Sequence, residues 1–396
     1  MKTSDNQILK YWKREKYSPL LKIFGMKKYG IAYLPLHDGY VPRWLFDRMV
    51  KLGGIILKHI VDDFGSDELL IRLADPVWFQ ALGCVLGFDW HSSGLTTVVT
   101  AALKEAIKKE EIGIYIAGGK GRISRKAPQE IIDICRKLDL DYRSLIEASR
   151  LTAKVDNSLL LDGYSLYHHV IVFDEYGKWT VIQQGMNISS KYARRYHWTS
   201  LNLRNFIVEP HSGLIGDKAH NIVIDMTSRR SEEARSMSLD IIRENRLKRD
   251  LHKAREKIGG ELDRWLGRHL DENYKLLILP ERLNWKAIRE AYELQPRNFK
   301  ELLLIEGIGP ETIRALALVS EIIYGAPPSK VDPVRYTFAV GGKDGVPFPV
   351  NRGTYDYVIR FFEELLSKVD DYRYRKERLY KLSRLLPYIT IREIKK

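Results

Sequence analysis

Cysteine is scarce: Cys84 and Cys135 are the only two in 396 residues. Two thiols cannot build a disulfide framework, which points to a reducing compartment. No apolar run reaches the roughly 18–20 residues of a membrane span. Residues Met1 to Gln7 lack the apolar core of a signal peptide. The expectation is a cytoplasmic protein without a membrane partner. The chain also lacks a P-loop, a dinucleotide-binding glycine motif, a nucleophile-elbow motif and a kinase set. Metal ligands could be assembled on paper from His91, His168, His197 and His211. None shows the close HxxxH or CxxC spacing that specifies a site, so no metal or other cofactor is expected. Internal repeats and low-complexity tracts are absent too.

Net charge is present but unevenly placed. Lys+Arg minus Asp+Glu is 65 − 51 = +14. Residues 1–28 hold eight Lys/Arg and two acids, or +6, and residues 373–396 hold nine and two, or +7. The stretch between is therefore 14 − 6 − 7 = +1. Basic ends attract polyanions or merely keep a chain soluble, so charge alone does not identify a partner. Hydrophobic content of 44% is ample for packed cores and excludes wholesale disorder.

At roughly 100–200 residues per domain, the length suggests about two or three domains. Residues 1–28 read as a basic extension, with Met26 an alternative start. Residues 29–227 read as an N-terminal α+β domain that holds the catalytic site. Leu45, Met49, Leu52, Ile56 and Ile60 share one face of a helix. Asp75-Pro76 opens another, with proline in its first turn. Thr96–Lys108, Pro128–Lys137 and Tyr142–Lys154 are also helical. Ile112 to Ala117 reads as a buried strand ending in Gly118-Gly119-Lys120-Gly121. His169–Phe173 and Lys178–Gln183 flank a glycine-containing turn, which predicts a β-hairpin. Residues 228–275 read as a charged helical linker, 276–372 as a helical domain and 373–396 as a basic tail. The fold class expected is α+β, predominantly helical with a small antiparallel sheet.

One motif has a clear mechanism. Leu302 to Leu316 resembles a helix-hairpin-helix element: an apolar helix, the turn Gly307-Ile308-Gly309, and a second helix with Pro310 at its start. Glycines permit a tight turn and close approach. Backbone N–H groups at a helix N-terminus can face a phosphate oxygen, which positions DNA without reading sequence. Gly307, Ile308, Gly309 and Thr312 are the expected DNA contacts; the plainer alternative is a helical hairpin. In glycosylases that use this element a lysine often follows the hairpin, but Glu311 stands at the matching position. The downstream Asp332 precedes Pro333 and reads as a turn residue.

Several polar blocks lie in the first half. The glycine-lysine stretch continues into Arg122, Arg125 and Lys126. It is either an ordinary loop or a contact to a DNA backbone. His168-His169 on a strand points to opposite faces, so only one can enter a given pocket. Lys191, Arg194 and Arg195 sit among Tyr192, Tyr196, His197 and Trp198, a mixture used by single-strand and flipped-base binders or by a solvated helix face.

Taken in order, these blocks resemble the domain-of-unknown-function family seven-six-three of archaea and thermophilic bacteria. The blocks are Leu34–Gly39, Trp78–Gly83, Phe88–Gly94, Ala117–Gly121, Ala153–Asn157, Gln183–Asn187 and Tyr192–Trp198. The likeness covers about residues 29 to 360. It implies DNA repair: an abasic-site (AP) lyase of unusual fold, alone or with glycosylase activity, and no catalytic lysine is carried over from it. Such an enzyme needs a lysine to form a Schiff base, a base to remove the C2′ proton, and a backbone clamp. Lys120 and Lys154 are the candidate nucleophiles, with Lys104 and Lys191 weaker. Asp156 or His91 is the candidate base. Arg122, Lys126, Lys191, Arg194 and Arg195 join the hairpin as DNA contacts. The partner implied is double-stranded or damaged DNA. A metal-dependent DNA endonuclease and a non-catalytic DNA-binding or assembly protein remain the alternatives.

Overall fold

The computed structural model describes residues 28–31, 36, 41–88, 93–216, 219–258 and 276–334. His91, the basic extension before Lys28 and the tail 373–396 lie outside the described residues, so the expectations placed on them are not addressed.

The fold is α+β. Strands β1 (Lys28–Ile31), β2 (Ile114–Lys120), β4 (Ser165–Asp174), β5 (Trp179–Asn187), β6 (Tyr192–Thr199) and β7 (Gly213–Gly216) form one sheet in the order β1-β7-β6-β5-β4-β2. Its pairs are antiparallel except β1 with β7. A second small sheet pairs β3 (Leu160–Leu161) with β8 (Ile224–Asp225).

Helices cover both faces of the large sheet. On one side lie α1 (Arg43–Phe64), α2 (Ser66–Leu73), α3 (Pro76–Val85) and α4 (Ser93–Glu110). Met49, Leu52, Ile56, Trp78, Phe79 and Leu103 pack there with Ile116, Val170, Val172 and Ile182 of the strands. The other side carries α5 (Ala127–Leu138) and α6 (Arg143–Ser158). Ile131 and Val155 meet Ile171, Phe173, Val181, Tyr196 and Trp198 there. Alternate residues thus feed opposite cores, and β4 to β6 are buried almost throughout. Each large apolar side chain so enclosed contributes about 1.5–3 kcal/mol.

Local signals set the element ends. Asp75 caps α3, accepting from the N–H groups of Val77 at 2.9 Å and Trp78 at 3.3 Å, with Pro76 at the first position. Asp174 accepts from the N–H groups of Tyr176 and Lys178 and so closes the β4–β5 turn around Gly177, which has φ +76°.

Two elements differ from the sequence reading. The strand expected to stop at Ala117 continues through Gly118 and Gly119 to Lys120, paired with β4 all the way. A Cβ on Gly118 would lie 2.2 Å from the His169 carbonyl oxygen, so glycine there serves close strand pairing and makes no loop. The segment after residue 228 is not one linker helix. It forms α7 (Glu232–Arg243) and α8 (Leu247–Ile258), broken where Asn245 takes φ +53°. Ala234, Ile241, Leu247, Leu251 and Ala254 pack into the same core as the sheet. That core also takes in α9 (Trp285–Leu294), α10 (Phe299–Leu304) and α11 (Pro310–Tyr324). Charge on the exposed face had masked a helical stripe of apolar residues.

Candidate functional site

Strand pairing sets four polar residues in one row across the sheet. Lys120 of β2 stands opposite His168 of β4, His168 opposite Gln184 of β5, and Gln184 opposite Arg195 of β6. Directly opposed residues share a face, here the one under α4. At about 4.8 Å per strand the row is about 14 Å long. Lys120 is exposed; His168, Gln184 and Arg195 are buried.

The hydrogen bonds fix the state of His168. Thr100 of α4 gives its hydroxyl proton to the Thr96 carbonyl at 2.7 Å. Its oxygen therefore accepts from Nε2–H of His168 at 3.1 Å. Nδ1 is left as a buried acceptor without a hydrogen-bond partner among the described residues. Burial pushes the imidazole pKa down to about 3, with His169 and Lys120 adding to the effect. The ring is neutral at physiological pH, so Nδ1 carries an unprotonated lone pair.

The rest of the row is tied to α3 and α4. Thr96 donates to Gln184 Oε1, while Gln184 Nε2 donates to the Tyr167 hydroxyl and, at 2.9 Å, to the Ser93 carbonyl. Arg195 donates to Gln80 Oε1 at 3.0 Å and stacks over Phe79. Burial lowers its pKa to about 9.

The opposite face presents a closed chain instead. Gln183 Nε2 donates to Asp156 Oδ2 at 2.5 Å, which turns Gln183 Oε1 toward Nδ1–H of His169 at 2.8 Å. His169 Nε2 then accepts from the Ser149 hydroxyl at 2.8 Å. Asp156 also accepts from Trp198 Nε1 at 3.0 Å and meets His211 Nε2 at 2.5 Å. Burial raises the Asp156 pKa; its bonds to His211, Trp198 and Gln183 oppose that rise. Burial lowers His169 to about 4.

The residues singled out from sequence separate accordingly. Lys154 and Asp156 share α6 but face different ways. Lys154 Nζ donates to the carbonyls of Ile305 at 2.8 Å and Ile308 at 3.1 Å, so it docks the hairpin. Asp156 is enclosed with both oxygens engaged, Oδ2 by Gln183 and Trp198 and Oδ1 by His211, so it is bound into the sheet and is no candidate base. Lys104 is engaged by Glu130 at 2.6 Å and the Gly118 carbonyl at 2.8 Å. Lys120, Arg122, Arg125, Lys126 and Lys191 are exposed at the end of the sheet where β2 and β5 stop and β4 and β6 begin. Arg194 and Arg195 do not join them. Both are completely buried, which corrects the expectation that they contact DNA. Arg194 pairs with Asp162 at 2.8 Å and Asp332 at 2.9 Å, so Asp332 holds a buried cation and is no simple turn residue. Burial lifts Asp162 to about 6 despite that cation.

The hairpin turn connects α10 to α11. Gly307 has φ +82°, and a Cβ there would lie 2.4 Å from Asn284 Nδ2 and 2.8 Å from Ala287 Cβ, so packing against α9 explains it. Gly309 has ordinary φ and open space around a built Cβ, so nothing within the described residues requires glycine there. The side chains of Ile308 and Thr312 are buried, and the backbone of Ile308 is engaged, its N–H by the Ile305 carbonyl and its carbonyl by Lys154.

His168 is the residue that sequence reasoning passed over. Adjacent histidines on a strand announced that one would face each side, but not which side would leave a nitrogen free. The metal set assembled on paper does not converge: His168 and His197 lie under α3 and α4, whereas His211 is bound to Asp156 on the other face. Among the described residues no helix is long and apolar enough to cross a membrane.

No curated protein and no solved structure matches the chain. The profile of one family, described as "Protein of unknown function (DUF763)", matches residues 30–350. That stretch contains the polar row, the closed chain and the hairpin, and the chain belongs to this family.

Proposed function

We propose that this protein is a DNA-(apurinic or apyrimidinic site) lyase with Lys120 as nucleophile and His168 as the neighbouring base. The carrying observation is the cross-strand pair itself: an exposed lysine beside a buried, neutral imidazole whose Nδ1 lacks a partner among the described residues. An unpaired buried acceptor costs free energy, and such groups cluster where chemistry uses them.

The chemistry runs as follows. Lys120 Nζ adds to the C1′ aldehyde of the ring-opened abasic sugar, the lysine's proton passes to the carbinol oxygen, and loss of water leaves an iminium. The iminium acidifies the C2′ proton. His168 Nδ1 takes that proton, the C2′=C3′ double bond forms, the C3′–O bond breaks and the phosphate departs. Hydrolysis of the imine frees Lys120 and the unsaturated aldehyde. Arg122, Arg125 and Lys126 supply phosphate contacts that position the backbone without reading bases. The open space at Gly309 supports a second contact, by close approach of a phosphate to the N-terminus of α11.

Borohydride reduction of the protein on abasic-site DNA in EDTA tests this. A covalent adduct is expected with the native chain and none with Lys120→Ala. EDTA-sensitive strand cutting without an adduct would establish the endonuclease instead. Binding with neither would leave a DNA-binding or assembly role. An adduct that survives Lys120→Ala would move the nucleophile elsewhere.

A further inference from the structure

Three residues after Lys120 comes an apolar side chain that the fold leaves outside. The 3-10 turn Gly121–Lys126 follows β2 directly. Its Ile123 is 48% exposed, flanked by Arg122, Arg125 and Lys126, which are exposed too. No acidic residue occurs between Glu111 and Glu130. A single exposed isoleucine is ordinary on a protein surface. This one is unusual in being held. A Cβ on Gly119 would meet Ile123 Cγ2 at 2.9 Å, so the isoleucine rests directly on the strand backbone. Ser124 Oγ donates to the Gly121 carbonyl at 2.6 Å and closes the turn. The Ala127 N–H donates to the Ser124 carbonyl and joins the turn to α5. The side chain is thus fixed, apolar, ringed by cations and within three residues of Lys120.

We infer that Ile123 is a wedge that enters the base stack of duplex DNA at an abasic site, with Arg122, Arg125 and Lys126 holding the flanking phosphates. This deepens the lyase reading and rests on it for the identity of the lesion. The physics is general. An aldehyde inside a duplex is reached only if its sugar leaves the helix. The gap then has to be filled by something apolar that stacks and makes no demand for hydrogen bonds. An aliphatic side chain on a cationic turn meets both conditions, and phosphate attraction drives it in. The occupant argued for is a duplex with a missing base. A single strand has no stack for the wedge to hold open.

The test uses the full chain and a duplex carrying a tetrahydrofuran abasic analogue, which cannot be cleaved, with 2-aminopurine opposite it. Binding of the native protein should raise the 2-aminopurine fluorescence as the base is pushed from its stacked position. Ile123→Ser should lose most of that rise at saturating protein, and Ile123→Met, which restores an apolar side chain of similar length, should recover it. On reactive abasic DNA, Ile123→Ser should lower the ratio of duplex to single-strand adduct formation by about ten-fold. An unchanged rise with Ile123→Ser, or no rise with native protein at saturation, overturns the wedge. The two readings fail separately. An adduct on single-stranded abasic DNA without a fluorescence rise on the duplex sinks the wedge alone. A rise without any adduct sinks the lyase and leaves the wedge as a binding device for baseless DNA.

Discussion

The two faces of the central sheet carry similar residues in different states. Beneath α4, His168 has a ring nitrogen with no partner among the described residues and lies beside an exposed lysine. Beneath α6, one residue on, His169 has both nitrogens bonded in a chain from Ser149 to Asp156 and His211. The second face shows what a satisfied buried network looks like. Each donor meets one acceptor, and the product is a single rigid arrangement of helix on sheet. The first face breaks that rule at His168 Nδ1, Arg195 Nε and His197 Nε2, and the His168 break lies nearest the surface end of the row, beside Lys120. Residue type does not separate the two histidines; the completeness of their hydrogen bonding does.

The largest effect should come from breaking the satisfied face. Asp156→Ala strips partners from Gln183, Trp198 and His211 at once. It should lower unfolding free energy by about 3–5 kcal/mol, read from denaturant midpoints. A loss under about 1 kcal/mol would mean that the network is plastic and the comparison poorly drawn. His168→Gln tests the other face. An amide can keep the donation to Thr100 but offers no basic nitrogen. β-Elimination should slow about 100-fold while borohydride trapping persists, since general-base assistance and imine formation are separate steps. Equal loss of both would reduce His168 to a structural role.

Acid should sharpen the contrast between histidines and carboxylates. The folded pKa values of His168, about 3, and His169, about 4, lie below the ordinary 6.5. The native state therefore binds fewer protons than the unfolded chain between those limits. Stability from these groups is full above pH 6.5 and is lost as pH falls toward 4. Asp162 has the opposite sign. Raised from 3.8 to about 6, it contributes stability that is full below pH 3.8 and lost as pH rises through 6. On acidification from pH 7 to 5 the melting temperature should fall less steeply in the native chain than in Asp162→Asn, which lacks this opposing carboxylate. A flat profile would show that the histidines do not resist protonation. The smallest effect concerns the cationic turn. Arg122→Gln should reduce the slope of log affinity against log salt by about 0.9 if that guanidinium meets a phosphate. An unchanged slope would remove it from the interface.

Periodic features were readable in the sequence, and pairings were not. Leu45 to Ile60 announced α1 because burial repeats at helical spacing. Asp174 to Gly177 announced the β4–β5 turn because few residues suit it. The hairpin around Gly307 was legible as two helices and a glycine turn. The row Lys120-His168-Gln184-Arg195 spans 75 residues of sequence and depends on three strand registers. No local pattern encodes it. Arg194 and Arg195 illustrate the limit. A cluster of cations and aromatics looks the same whether it faces water or acids from distant segments. Only tertiary pairing with Asp162 and Asp332 settles Arg194. The charged stretch after residue 228 misled for a related reason. Its net polarity hid Ala234, Ile241, Leu251 and Ala254, which lie on the face turned inward.

Lys154 couples regions far apart in the chain. Its ammonium group bridges α6 to the hairpin carbonyls of Ile305 and Ile308, 151 and 154 residues away. Burial lowers its pKa, so the clamp is held by a cation that has given up water. The same helix carries Ser149 and Asp156 on its inner side. The turn is therefore fastened to an element that cannot shift without disturbing the buried chain beneath it. In hydrogen-exchange terms, the amides around Gly307 should open together with α6, in one cooperative unit, and not fray as an independent loop. A turn fastened in this way to a buried hydrogen-bonded chain holds its geometry through local fluctuations.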